Sequence, residues 1–194
     1  NAGWGYDDVL PYFKKAENQQ RGQSEYHGAG GPLPVSDWRH DDPLSEAFVK
    51  AAVEAGVPFN PDFNGATQEG AGFFQTTTRR GRRASSAFSY LRPAKNRANL
   101  SIETDALAQR ILFEGRRARS LEYRQRGQLR RVRARREILV SSGAYNSPQL
   151  LQLSGVGPAD LLKNLGIDVV LDAPGVGNDL QDHLQVRIVM RCAQ

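Results

Sequence analysis

The chain has 194 residues, of which 39% are apolar and 24% charged, and its formal net charge is +5. Such a composition predicts a folded globular protein of one large or two small domains. No apolar run reaches the roughly 18 residues that a membrane-spanning helix needs. The only cysteine, Cys192, excludes an internal disulfide, so we expect a reducing compartment and a cytoplasmic location. We expect Cys192 itself to be a small apolar residue of a strand.

The chain starts without methionine and ends inside a strand-like run at 186–191. We therefore expect it to be an internal segment of a longer protein.

The first element is predicted to be a helix that Asp7 caps, with Pro11 in its first turn. Residues 19–42 are predicted to form a glycine-rich loop. The loop lacks the GxGxxG fingerprint of dinucleotide-binding proteins, since the third glycine would fall at Leu33 and no strand precedes it.

A second helix is predicted between Asp42, as its cap with Pro43 following, and Gly56, which ends it. Its predicted buried stripe comprises Leu44, Phe48, Ala51, Ala52 and Ala55. A strand is predicted at 73–78, and a loop with a short helix at 81–93.

The second half is predicted to be richer in strands, with turns at Gly115 and Gly127. The predicted strands are 100–104, 109–113, 118–124, 129–135 and the buried 137–141. A helix capped by Asn146 or Ser147 follows, then a helix from Pro158 to Gly166 and a strand at 167–171. This order predicts an α/β (α+β mixed) fold with a domain junction near residue 95.

Eleven arginines lie between Arg110 and Arg136. Such a run could contact phosphates, as in a basic anion- or nucleic-acid-binding module without enzymatic activity. However, charge alternates with a period of two at 131–135, which favours a half-buried strand with one solvated face. The run contains only two aromatic residues, Phe113 and Tyr123, so we expect no nucleic-acid partner.

Candidate chemistry is sparse, since the three histidines are too scattered to predict a metal site. Gly143 and Ala144, between a predicted strand and helix, could let a ligand approach the backbone or could permit tight packing. Asp182 beside His183 could do acid–base work or could fix a loop by hydrogen bonds, the second being favoured.

A long motif, GAYNSPQLLQLSGVG at 143–157, resembles the second signature of the glucose-methanol-choline (GMC) oxidoreductases. Shorter matches follow the family order along the chain, at 3–13, 27–33, 62–65, 81–91 and 174–183. The sequence is closest in character to the bacterial choline and alcohol dehydrogenase branch.

The resemblance implies FAD as cofactor and oxidation of a small-molecule alcohol by hydride transfer to the flavin. It implies cofactor contacts at Ala108, where the family usually has valine, and at Ser142, Gly143 and Ala144. The family's catalytic histidine and its pyrophosphate loop fall outside this sequence. We therefore expect no catalytic residue here, an inactive chain when isolated, and weak or no FAD binding.

The resemblance also implies that flavin and substrate domains interleave along the chain. Residues 1–95 are predicted to be a connecting helix and part of the substrate domain, 96–183 the later part of the flavin domain, and 184–194 a return to the substrate domain. Surfaces that lack their covering segments are expected to be apolar and to favour self-association.

Overall fold

The computed structural model describes residues 2–39 and 42–189. It divides into two compact units, Asn1–Ile102 and Glu103–Gln194. The division falls close to the junction predicted near residue 95. The assignment of the parts to flavin and substrate domains stays a prediction. Cys192 and residues 190–191 of the strand-like run at 186–191 lie outside the described residues.

The first unit combines short helices with two-stranded sheets. Its elements are α1 (Tyr6–Ala16), β1 (Glu17–Gln19), β2 (Leu33–Val35), α2 (Pro43–Glu54), β3 (Thr78–Arg79), β4 (Arg82–Arg83), a π-helical turn (Ala87–Leu91) and α3 (Arg92–Ala94). β1 pairs with β2 in parallel and β3 with β4 antiparallel. The short helix predicted within 81–93 is thus confirmed.

α1 begins two residues earlier than a cap at Asp7 would allow. Gly5 takes the cap position, and its backbone N–H donates to Asp8 Oδ2 at 3.0 Å. Asp8 therefore holds the helix start from inside the first turn, where its charge also suits the helix dipole. Pro11 lies within the helix rather than in its first turn.

The glycine-rich loop returns against the end of α1, which the prediction of a plain loop at 19–42 missed. A Cβ at Gly28 would lie 1.8 Å from the carbonyl oxygen of Lys14, and one at Gly31 would lie 2.4 Å from that of Glu17. Both glycines thus permit a close backbone approach, which lets β2 pair with β1.

α2 has the predicted bounds, because Asp42 Oδ1 accepts the N–H of Leu44 at 3.1 Å and Pro43 opens the helix. The predicted buried stripe is wrong, since α2 has no buried residue and Leu44 is 65% exposed. An amphipathic helix buries its apolar side only where another element covers it.

The second unit contains the predicted β-meander followed by two helices. Its elements are β5 (Ala106–Glu114), β6 (Arg117–Gln125), β7 (Gln128–Arg133), α4 (Gly143–Leu153), β8 (Val156–Gly157), α5 (Ala159–Asn164) and β9 (Leu171–Asp172). The first three strands form one antiparallel sheet in chain order, and β8 pairs with β9 in parallel. The predicted mixed α/β class is confirmed.

Four predicted strands are wrong. Residues 100–104, 137–141 and 186–189, the described part of the run at 186–191, form no strand, and within 73–78 the backbone makes only an isolated bridge from Thr76 to Ser36 before β3 begins. Of the strand predicted at 167–171, only Leu171 belongs to a strand, β9. Leu139, predicted to be buried, is 81% exposed. A strand needs a hydrogen-bonded neighbour, and the described parts of the chain supply no strand partner to 100–104 or 137–141.

The core of the second unit lies between the meander and the helices. Ile111, Leu150 and Leu162 are its buried apolar side chains, and Leu162 is fully buried. Complete burial of one leucine contributes about 2 kcal/mol.

Candidate cofactor site

The turn that opens α4 is the centre of the predicted cofactor site. The helix begins at Gly143 with Ser142 as its cap, which lies four to five residues before the predicted caps Asn146 and Ser147. Ser147 instead folds back, and its Oγ accepts the backbone N–H of Ser142 at 3.0 Å. The side chain of Ser142 makes no capping bond, so the first N–H groups of α4 have no partner from that side chain.

The conformation of Gly143 bears on whether glycine serves ligand approach or tight packing at this turn. Its φ is +87°, in the left-handed region, so the turn itself favours glycine. Apart from the two neighbouring residues and the backbone of α4 itself, no described atom lies within 4 Å of the place a Cβ would occupy. Tight packing inside this chain is therefore not the reason for glycine here, and the space beside the turn can admit a ligand.

Ala144 lines an open cleft of about 360 Å³ beside the start of α4. The other lining residues are Tyr145, Pro148, Gln149, Gln152, Gly177, Asn178 and Leu180. Two segments singled out in the sequence, the long motif at 143–157 and the stretch at 174–183, thus form opposite walls of one cleft.

A hydrogen bond fixes these walls together. Gln152 Nε2 donates to the carbonyl oxygen of Val176 at 2.8 Å. Gly177 adopts φ +88°, and a Cβ there would lie 2.6 Å from the same Nε2. Glycine at 177 therefore lets the side chain of Gln152 reach the backbone, a relationship that the sequence did not reveal.

Ala108 lies on β5, paired with Tyr123, next to a register shift before Arg110. It does not line the cleft. α4 meets β5 through Ser154, at the opposite end of the helix from Gly143. Of the four residues predicted to contact the cofactor, only Ala144 lines the cleft, with Ser142 and Gly143 directly beside it, and their contact with a cofactor stays a prediction.

Asp182 and His183 make the loop hydrogen bond that the sequence analysis favoured over acid–base work. Asp182 Oδ1 accepts the backbone N–H of His183 at 2.8 Å. This is a local loop contact in which the imidazole ring takes no part. Across the described ranges, no group of three or more metal-ligating side chains comes together.

A buried polar cluster in the first unit went unnoticed in the sequence. His27 Nδ1 lies 3.0 Å from both carboxylate oxygens of Glu17, and its Nε2 lies 2.8 Å from Asp62 Oδ2. Burial lowers the pKa of His27, but the hydrogen bonds and charges of Asp62 and Glu17 outweigh burial and raise it above its ordinary value of 6.5. The three residues are distant in sequence, so no local pattern could have predicted the cluster.

None of the helices in the described ranges is long and apolar enough to cross a membrane.

Two relatives match this chain over part of their own length. It is 50% identical over 192 residues to the mitochondrial choline dehydrogenase of Homo sapiens, covering 99% of this chain and 32% of that protein. It is 53% identical over 193 residues to the oxygen-dependent choline dehydrogenase of Burkholderia cenocepacia, covering 98% of this chain and 34% of that protein. The chain thus spans about a third of these relatives.

The fold is similar to solved flavoenzyme structures. An FAD-dependent oxidoreductase from Chaetomium thermophilum superposes with a TM-score of 0.87 and 31% identity, over 94% of this chain and 34% of that one. The GMC oxidoreductase family model matches residues 1–185, which is nearly the whole sequence. The chain therefore belongs to the GMC oxidoreductase family.

Proposed function

We propose that this chain is part of an FAD-dependent oxidoreductase that oxidises a primary alcohol, with choline as the first candidate. The observation that carries the proposal is the turn at Gly143. It combines a left-handed backbone, open space at the missing Cβ and an exposed helix start, all within the segment that matches the family.

These residues fit one part of a dinucleotide cofactor. A helix start offers N–H donors and the positive end of the helix dipole to polar ligand atoms. Ser142, Gly143 and Ala144 would lie against the cofactor through their backbones, and the cleft beside Ala144 would take the adjoining part. Bound FAD supplies the hydride acceptor for alcohol oxidation.

The role of the chain's own residues is to bind and position. Gln152 keeps the two walls of the cleft at a fixed separation by its bond to Val176. The chain contains no GxGxxG sequence, so donors for the pyrophosphate are proposed to come from elsewhere in the protein. We accordingly propose that the isolated chain binds FAD weakly and is inactive by itself.

Choline is the first candidate because the two relatives above are choline dehydrogenases and about half of the aligned residues are identical. The substrate pocket is proposed to include residues outside this chain, so a different primary alcohol would leave the cofactor proposal intact.

Anaerobic titration of the whole protein that contains this chain tests the function. We expect the yellow flavin absorbance to bleach on addition of choline or another primary alcohol, and to persist with a tertiary alcohol, which has no hydrogen on the carbinol carbon to transfer. A protein that holds no flavin, or a flavin that no primary alcohol bleaches, would contradict the proposal.

A further inference from the structure

One face of the β5–β6–β7 sheet carries an ordered array of arginines. Residues paired across antiparallel strands project to the same face, so the register assigns each side chain. Three cross-strand rows make up what we call the arginine face: Leu107, Arg124 and Leu129; Arg110, Glu122 and Arg131; Leu112, Ser120 and Arg133. With four arginines and one glutamate, this face has a net charge of +3.

Glu122 fixes the central row. Arg131 Nη2 donates to its Oε1 at 2.7 Å, and Arg110 Nη2 donates to its Oε2 at 3.1 Å. Glu122 is buried, while the side chains of both arginines are more than half exposed. The glutamate thus holds two guanidinium groups at the surface, where each keeps further N–H donors for an external acceptor.

The opposite face of the sheet contributes to the core of the second unit. Ile111, which projects to that face, is buried, and its backbone N–H is bonded to Ser154 at the end of α4. Ala108 projects to that face as well, as its pairing with Tyr123 requires. The arginine face therefore does not share its side of the sheet with Ala108, and the inference from it goes beyond the proposed oxidoreductase function.

Positive charge is concentrated in this part of the chain. Residues 106–136 contain eleven arginines and two glutamates, a net charge of +9, whereas the other residues contain 15 basic and 19 acidic side chains, a net charge of −4. An extended anionic surface is the partner that such a distribution complements.

Two exposed leucines favour a lipid bilayer over a nucleic acid as the anionic surface. Leu107 and Leu129 flank Arg124 in the first row and are 65% and 59% exposed. Apolar side chains beside basic ones suit the boundary between lipid headgroups and acyl chains. The three rows contain no aromatic side chain, which bases of a single-stranded nucleic acid would need for stacking.

We propose that the arginine face docks on a lipid bilayer that contains anionic phospholipids. The guanidinium groups of Arg110, Arg124, Arg131 and Arg133 contact headgroup phosphates and carboxylates. Leu107 and Leu129 enter the interface between the headgroups and the acyl chains. The contact is peripheral, and salt weakens it.

Vesicle co-sedimentation of the whole protein that contains this chain tests this surface. Vesicles of phosphatidylcholine with about 30% phosphatidylserine are compared with pure phosphatidylcholine in about 0.1 M salt. We expect binding to the anionic vesicles alone, and we expect the Arg124→Gln/Arg133→Gln double variant to lose about 10- to 30-fold in partition coefficient. These two arginines are chosen because removal of Arg110 or Arg131 would leave Glu122 buried with one partner fewer.

A matched control is Arg79→Gln/Arg83→Gln, which removes the same charge from exposed positions of β3 and β4 in the other unit. We expect this control to retain the parent's binding within about threefold, since neither Arg79 nor Arg83 belongs to the arginine face. The Leu107→Ser/Leu129→Ser variant should keep binding at low salt and lose the part that survives about 0.5 M salt. Circular dichroism spectra verify that each variant is folded.

Three results would overturn the proposal. The first is equal binding to uncharged vesicles, and the second is an equal loss in the arginine-face variant and its control. The third is tighter binding to double-stranded DNA than to anionic vesicles, lost in the Arg124→Gln/Arg133→Gln variant, which would assign the face to a nucleic acid.

Discussion

The hydroxyl of Ser154 joins two elements of the second unit, because its Oγ accepts the backbone N–H of Ile111 at 2.8 Å. The same hydroxyl donates to the carbonyl oxygen of Leu150. Both contacts are buried, so the last turn of α4 is fixed to β5 by one side chain.

Replacing this hydroxyl should destabilise the second unit. In Ser154→Ala the N–H of Ile111 stays buried without an acceptor, which costs about 1–3 kcal/mol. Hydrogen exchange of the Ile111 amide should accelerate, and the urea midpoint of the unit should fall. The control Ser142→Ala removes an exposed hydroxyl that makes no capping bond, and its stability should stay within about 0.5 kcal/mol of the parent.

Leu162 is the fully buried side chain of the second unit's core. Leu162→Ala should lower the free energy of unfolding by about 2–5 kcal/mol, since a cavity is added to the lost burial. Leu165→Ala, at the C-terminal cap of the same short helix but 65% exposed, should cost well under half as much. Equal losses in urea unfolding for the two variants would show that α5 packs differently.

Gly28 should tolerate no side chain, because a Cβ there would lie 1.8 Å from a backbone oxygen of Lys14. Gly28→Ala must push the loop away from α1, and we expect a loss of about 2 kcal/mol or more in the first unit. Both tryptophans, Trp4 and Trp38, lie in that unit, so their fluorescence reports its unfolding. The control Ala29→Ser changes an exposed neighbour in the same loop and should be nearly neutral. An equally neutral Gly28→Ala would contradict the close approach.

The His27 cluster predicts how the first unit responds to pH. The folded pKa of His27 lies above its ordinary value of 6.5, so the stabilisation is complete below pH 6.5 and is lost as the pH rises through the folded pKa. The thermal midpoint followed by tryptophan fluorescence should therefore fall over that range.

In His27→Gln this slope should disappear, whereas the control His183→Gln, at an exposed position, should keep it. A slope that persists unchanged in His27→Gln would show that another group causes it.

The sequence predicted those parts of the fold that local signals determine. Gly115 and Gly127 mark the turns of the meander, and Asp42, Pro43 and Gly56 mark the limits of α2, all as found. The buried stripe of α2 and the strand at 137–141 were wrong, because burial and pairing depend on a neighbouring element and not on the segment itself.

The candidate site was predictable in part. The motif at 143–157 identified the turn, and the structure adds the reason for glycine at 143. The bond from Gln152 to Val176 and the contacts of His27 with Glu17 and Asp62 join residues that are far apart in sequence. Such contacts follow from the tertiary fold, which periodicity and turn residues do not specify.

The most direct test of the central claim is the FAD content of the whole protein with Ala144→Leu. A larger side chain at Ala144 enters the cleft beside the Gly143 turn, whereas Ala66→Leu places the same side chain at an exposed position of the first unit. We predict that Ala144→Leu lowers FAD affinity about tenfold or more, and that Ala66→Leu purifies with as much FAD as the parent. Full FAD retention and unchanged affinity in a folded Ala144→Leu protein would contradict a cofactor site at this turn.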